Sequence, residues 1–226
     1  MTDTGPDYGR AFALWRSGAG ADWAAYVRHG FVAALADGTL PRRAFLAYLV
    51  QDYHFLIHFS RAWALAVVKA DRLEEMRAAT ATLRALMEEE MSLHIRLCAA
   101  AGMPEAALRA TPEAPQTLAY TRYVLEAGYS GDLLDLLAAL APCVLGYGEI
   151  GARLMPQAGG PYADWIATYG GTEYQALCRD TGALIDGAIA ARLGPAPERL
   201  PRWVTIQRRF TDATRLEARF WEVGAA

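Results

Sequence analysis

The chain has almost no lysine. Lys69 is the only one among 226 residues, and although 22 basic side chains face 25 acidic ones, no basic cluster is longer than a pair. Nucleic-acid binding needs clustered Lys and Arg, so no such partner is expected. Cysteine is scarce and unpatterned. Cys98, Cys143 and Cys178 are odd in number, far apart and without a CxxC, so neither a disulfide framework nor a zinc cluster follows. Histidine is missing after His94. A bundle-type di-iron centre normally repeats Glu-x-x-His on two helices, and that pattern is absent too. Glu90 and His94 are four apart, a spacing that suits metal ligands and equally an ordinary i,i+4 pair. His54 and His58 repeat the spacing, but on another side of their helix from Asp52 and Phe55. No metal is expected. Long apolar runs are lacking as well. The richest, Leu133 to Gly148, contains Asp135 and Pro142 and reads as too short and interrupted to span a bilayer. Asp3, Asp7 and Asp22 break up the first thirty residues, which predicts no signal peptide and a cytoplasmic protein.

What remains is helical. Apolar residues make up 54% of the chain, much of it Ala and Leu, which favour helix. Helical periodicity covers nearly the whole sequence, and strand-like alternation is missing. Helices are predicted over 7–17, 22–36, 41–70, 72–101, 114–129, 131–155, 161–169, 172–193 and 199–223. The cuts fall at Asp37-Gly38, Gly102, Thr111-Pro112, Ser130-Gly131-Asp132, Gly159-Gly160-Pro161, Gly170-Gly171 and the prolines 195, 197 and 201. No repeat or long linker divides the chain, so one helical domain over 1–226 is expected.

Residues three and four apart share a helix face, and the apolar stripes contain polar interruptions. Phe45, Tyr48, Phe55, Phe59 and Trp63 leave a gap filled by Asp52. Trp203, Ile206, Phe210, Ala213 and Phe220 leave one filled by Glu217. Leu133, Leu136, Leu140, Tyr147, Ile150 and Leu154 surround Cys143. A further stripe reads Leu83, Met87, Glu90, His94 and Leu97. A buried carboxylate neutralises, pairs or serves a site. Taken singly, Asp52 could be a core carboxylate held by Arg or a Tyr hydroxyl, Glu217 could be half-exposed near Arg215 and Arg219, and Cys143 could be a small core hydrophobe. Together, two acids and a thiol converge on one bundle interior. Pro142 removes a helix hydrogen bond immediately beside Cys143. Cys98 and Cys178 read as packing residues. The many tyrosines of the second half need hydroxyl partners when buried, and aromatic faces with a few fixed polar groups suit a flat heteroaromatic ligand.

These residues fall in motifs that resemble the TenA (thiaminase II) family. Tyr48-Leu49-Val50-Gln51-Asp52 is similar to its Y-x-x-Q-D segment, and Pro142-Cys143 with Tyr147-Gly148-Glu149-Ile150-Gly151 to its P-C-x-x-x-Y-x-E-I-G stretch. Tyr162 to Trp165-Ile166 and Tyr169 resemble Y-x-x-W-I-x-x-Y, and Glu217 to Phe220-Trp221 the closing E-x-x-F-W. The resemblance implies an all-α, haem-oxygenase-like bundle, commonly a homotetramer. It also implies hydrolysis of aminomethyl-pyrimidine breakdown products, and more slowly thiamine, to hydroxymethylpyrimidine, without a cofactor. Carried over by position, Cys143 is the nucleophile and Glu217 the proton donor and acceptor. Asp52, Tyr147 and Tyr169 bind the pyrimidine, with Tyr169 also positioning Glu217. Tyr120 lines the pocket, and Phe55 and Phe220 pack against the ring. Some members carry Tyr where this chain has Phe55, which removes a hydroxyl that can help activate the thiol. A non-catalytic pyrimidine-binding or regulatory protein of the same fold is the alternative. A thiol near two carboxylates should have a raised pKa.

Overall fold

A computed structural model describes residues 5–224, and among these the chain forms helices and no strands. The helices are α1 (Arg10–Ala19), α2 (Ala21–Val27), α3 (Gly30–Ala36), α4 (Arg42–Lys69), α5 (Leu73–Ala85) and α6 (Met91–Ala100). They continue as α7 (Glu105–Ala110), α8 (Pro115–Ser130), α9 (Leu133–Leu154), α10 (Ala163–Gly170), α11 (Thr172–Leu193) and α12 (Pro201–Phe220). A π-helical turn, Leu86–Glu90, joins α5 to α6, and a 3-10 turn, Trp221–Gly224, follows α12.

Most sequence boundaries hold within a few residues, and the differences have local causes. The first helix starts at Arg10 and not at 7, because Asp186 of α11 accepts from the amides of Arg10 (2.9 Å) and Ala11 (2.8 Å). Gly9, at φ 107°, makes the turn into it. The expected 22–36 helix breaks at His29, whose Nδ1 accepts from the Phe31 amide (3.2 Å) and caps α3. The stretch after Gly102 holds an additional short helix, α7. Within 72–101 the π turn shifts the buried row to Thr82, Leu86, Glu90, His94 and Cys98. Three successive four-residue steps from Leu86 overshoot an α-helical turn, and the wider turn absorbs them. Met87, expected in that stripe, is consequently 57% exposed.

Helix α9 is the axis of the bundle. Every residue from Leu133 to Gly148 is buried, with α8, α10, α11 and α12 packed around it and α4 and α2 completing the ring. At 22 residues α9 is long and apolar enough to cross a membrane, contrary to the expectation from its sequence, but 94% of its most apolar stretch is buried inside the protein. A helix apolar all round is the natural occupant of a bundle centre. A capping box starts it: Asp132 accepts from the Leu134 and Asp135 amides, and Asp135 accepts from the Asp132 amide. Near its other end, a Cβ on Gly151 would lie 2.3 Å from the carbonyl carbon of Tyr169. Helices α9 and α10 therefore touch backbone to backbone, which sets Tyr169 beside Tyr147. The stripes of α4 and α12 are buried as expected, Asp52 and Glu217 included.

Candidate active site

Asp52 from α4, Glu90 from the π turn, His94 from α6, Tyr120 from α8, Cys143 and Tyr147 from α9, Tyr169 from α10 and Glu217 from α12 are all buried. Asp52 is the best partnered of the acids. Its Oδ2 accepts from Tyr48 Oη at 3.0 Å and from His94 Nε2 at 2.7 Å. Trp165 Nε1 in turn donates to Tyr48 Oη at 3.2 Å. His94 Nδ1 lies 2.8 Å from the Glu90 carbonyl. A carbonyl oxygen only accepts, so Nδ1 carries a proton. Burial pushes the His94 pKa down, but the charge of Asp52, the bond to it and Glu90 outweigh this and raise it. His94 and Asp52 thus form a buried hydrogen-bonded pair inside the bundle, with Tyr48 and His94 both meeting Oδ2.

Glu217 and Cys143 form the second cluster. Tyr120 Oη donates to Glu217 Oε1 at 2.8 Å. Burial drives the Glu217 carboxyl well above its ordinary range, opposed by the Tyr120 bond and reinforced by the charges of Asp52 and Glu90. Burial likewise pushes the Cys143 thiol well up, and the charges of Glu217, Glu90 and Asp52 add to it. Glu217 also raises it by accepting the thiol's hydrogen bond. The resting group is a thiol next to a carboxyl, in line with the expectation from sequence. Behind the thiol, Tyr26 Oη donates to the Pro142 carbonyl at 3.3 Å.

One pairing differs from expectation. Tyr169 Oη donates to Glu90 Oε1 at 2.6 Å, and the hydroxyl that orients Glu217 comes from Tyr120. The distance along α10 alone does not distinguish the two acids; the backbone contact at Gly151 does, by fixing where α10 lies. Glu90, pushed up to about 7 by burial and then by the charge of Asp52, stands in the sequence only as a neighbour of His94. Neither its inward aim nor the His94–Asp52 pair has a signal beyond the stripe that contains Glu90 and His94.

Aromatic rings wall the polar centre. Phe55 packs against Tyr120 (4.8 Å between centroids) and Phe220 (5.5 Å). Tyr147 packs against Tyr169 (4.9 Å) and Trp221 (5.4 Å), and Trp221 reaches Tyr48 at 5.3 Å. Such an interior offers π faces to a flat ring and isolated charges at its edge. Among the described residues no three His, Cys, Asp or Glu side chains are grouped to hold a metal ion.

The sequence matches the TENA/THI-4/PQQC family over residues 19–225. The chain belongs to this family. An uncharacterised protein of Haemophilus influenzae is 40% identical over 207 residues, covering 89% of this chain and 93% of that protein. An aminopyrimidine aminohydrolase of Halalkalibacterium halodurans is 33% identical, with 89% of each chain covered. Among solved structures, a TenA family transcription regulator from Silicibacter sp. TM1040 superposes with a TM-score of 0.94 at 59% identity, over 96% of this chain and 97% of that one. The fold is the haem-oxygenase-like bundle. A Shewanella denitrificans domain described by that fold superposes at a TM-score of 0.62 with 15% identity, covering 97% of this chain and 93% of its own.

In this TenA-family chain several motif residues hold the scaffold and stay out of the centre. Gln51 donates to the Pro112 carbonyl and accepts from Ala114 N and Thr117 Oγ1, tying α4 to the start of α8. Glu149 pairs with Arg16 and accepts from Trp23 Nε1, fastening the first two helices to α9. Tyr162 Oη donates to the Leu40 carbonyl. His54 and His58 face the 105–114 segment, at the Leu108 carbonyl and Glu113. Cys178 donates to the Val144 carbonyl at 3.4 Å, and buried Cys98 is pushed up to about 11.

Proposed function

We propose that this chain is a thiaminase II-type aminopyrimidine aminohydrolase, converting aminomethyl-pyrimidine, and more slowly thiamine, to hydroxymethylpyrimidine through a Cys143 adduct. The observation that carries this is the Cys143–Glu217 pair, sealed in an aromatic interior that also holds the Asp52–His94 pair. Asp52 accepts from the amino group of the pyrimidine, and Tyr147, Phe55 and Phe220 bound its faces. Tyr120 keeps the Glu217 carboxyl turned to the reacting atoms, while Tyr169 completes the wall from its bond to Glu90.

The chemistry balances with one carboxyl. Cys143 Sγ bonds to an electron-poor ring carbon as Glu217 takes the thiol proton, and the electron pair moves into the ring. The ring then expels the amine, breaking the exocyclic C–N bond, and Glu217 protonates it. Water adds to the freed methylene carbon and gives a proton to Glu217. Finally the C–S bond breaks and the departing sulfur recovers that proton. The net change is amine plus water to alcohol plus ammonia. Covalent attachment divides one difficult displacement into easier steps. A carboxyl whose pKa is raised is a stronger base when ionised and a ready acid when protonated, which fits both halves of the cycle. The homotetramer and the cytoplasmic setting that the family resemblance implies belong to the same proposal.

The name of the Silicibacter protein favours a second reading, a regulator that binds pyrimidine without turning it over. One assay separates them. Purified protein is incubated in parallel with aminomethyl-pyrimidine and thiamine, following ammonia and hydroxymethylpyrimidine. Stoichiometric release of both products from the amine is expected. Pyrimidine binding with no product from either compound would support the regulator.

A further inference from the structure

Two polar atoms beside this centre have no part in the hydrolysis. Glu90 Oε2 and Tyr174 Oη are buried and carry no hydrogen-bond partner, although Glu90 engages its other oxygen with Tyr169. Both residues line one groove of about 520 Å³ between the 85–96 stretch and residues 167–177. Glu88, Glu89 and Glu173 line it too, against a single cation, Arg96. The π turn is what aims Glu90 inward while Glu88 and Glu89 stay outside. A buried carboxylate oxygen without a donor is unfavourable, and π turns recur where a ligand repays such a distortion.

We propose that this groove is a subsite for a protonated organic amine, whose N–H groups fill Glu90 Oε2 and Tyr174 Oη. An ammonium group carries donors and no acceptor, which is the complement of a vacant carboxylate oxygen and a phenol oxygen. The tyrosine ring adds a face that attracts cations. The volume holds a ring-sized substituent as well as the ammonium. The inference rests on the hydrolase reading in one respect: the amine in the groove is the leaving amine of a substrate whose aminomethyl nitrogen carries a further substituent, of which aminomethyl-pyrimidine, releasing ammonia, is the simplest case. Glu90 then stands between the reaction centre and the groove. Its negative lining favours a cationic leaving group and disfavours a phosphorylated one.

The test uses the full chain and two probes of one shape, benzylammonium and benzyl alcohol, titrated calorimetrically with and without saturating hydroxymethylpyrimidine. Benzylammonium is expected to bind at least tenfold more tightly than the alcohol, with pyrimidine bound or absent. Glu90→Gln should bring the two probes within threefold of each other. Tyr174→Phe should weaken the ammonium alone severalfold, and this variant tests the groove independently if Glu90→Gln does not fold. Equal affinities in the wild type, a preference that survives both substitutions, or displacement of the cation by the pyrimidine would overturn the assignment. A wild type that takes the cation as expected but ignores hydroxymethylpyrimidine would contradict the hydrolase reading and leave the groove assigned.

Discussion

Replacing Glu90 by Gln should stabilise the fold, and by more as pH rises. The carboxyl is buried, and its pKa is lifted from 4.5 to about 7 by burial and the charge of Asp52. A raised carboxyl contributes its full stability below the unfolded-state pKa and loses it as pH climbs through the folded one. Above neutrality the folded state must either retain a proton that the unfolded chain has released or bury a charge. At about 1.4 kcal/mol per pKa unit this handicap saturates near 3 kcal/mol. At pH 5 it is only about 1 kcal/mol. The amide keeps the shape and still accepts from Tyr169 Oη, and it has nothing to ionise. The stability gap between Glu90→Gln and wild type should therefore widen by about 2 kcal/mol between pH 5 and pH 8. Urea unfolding at the two pH values, with equal slopes for both proteins, measures it directly. A gap that stays constant with pH, or a variant that loses ground at pH 8, would refute the placement of Glu90 as a buried, raised acid.

Two other substitutions test separate parts of the site. Glu217→Gln keeps an oxygen for Tyr120 but cannot carry protons, so turnover of aminomethyl-pyrimidine should fall about a hundredfold or more. A near-normal rate with an unchanged pH profile would return Glu217 to a packing role. Gly151→Ala forces a Cβ against the Tyr169 backbone and should cost about 1–3 kcal/mol of stability by urea unfolding. A cost below about 0.5 kcal/mol would mean that α9 and α10 do not meet as closely as described.

The long stripes of α4, α9 and α12 are legible because three- and four-residue spacing survives wherever a helix stays regular, and the polar interruptions Asp52, Cys143 and Glu217 stand out against it. Legibility fails where the helix itself changes. The π turn moves Met87 out and aims Glu90 in, and spacing arithmetic that assumes one helical period cannot register that step. It fails again where partners come from other helices. His94 is visible as a neighbour of Glu90 on its own helix, but its ring reaches across to Asp52, 42 positions earlier. Glu217 takes its hydroxyl from Tyr120 and not from Tyr169, since which hydroxyl meets which carboxyl depends on how closely α10 approaches α9. The break at His29 uses a ring nitrogen as a cap, which lies outside the usual Ser, Thr, Asp and Asn signals.

The most direct measurement is the turnover of aminomethyl-pyrimidine by Cys143→Ser beside wild type, with hydroxymethylpyrimidine affinity determined on the same samples. Cys143 is buried at the centre of α9, where Glu217 is the charge that acts on it most, so the hydroxyl fits the space of the thiol while lacking its nucleophilicity. The expected result is a loss of turnover well beyond tenfold, which corresponds to more than about 1.4 kcal/mol of barrier, with pyrimidine affinity retained within a few fold. A serine variant that binds pyrimidine and turns over within tenfold of wild type would contradict the covalent role of Cys143.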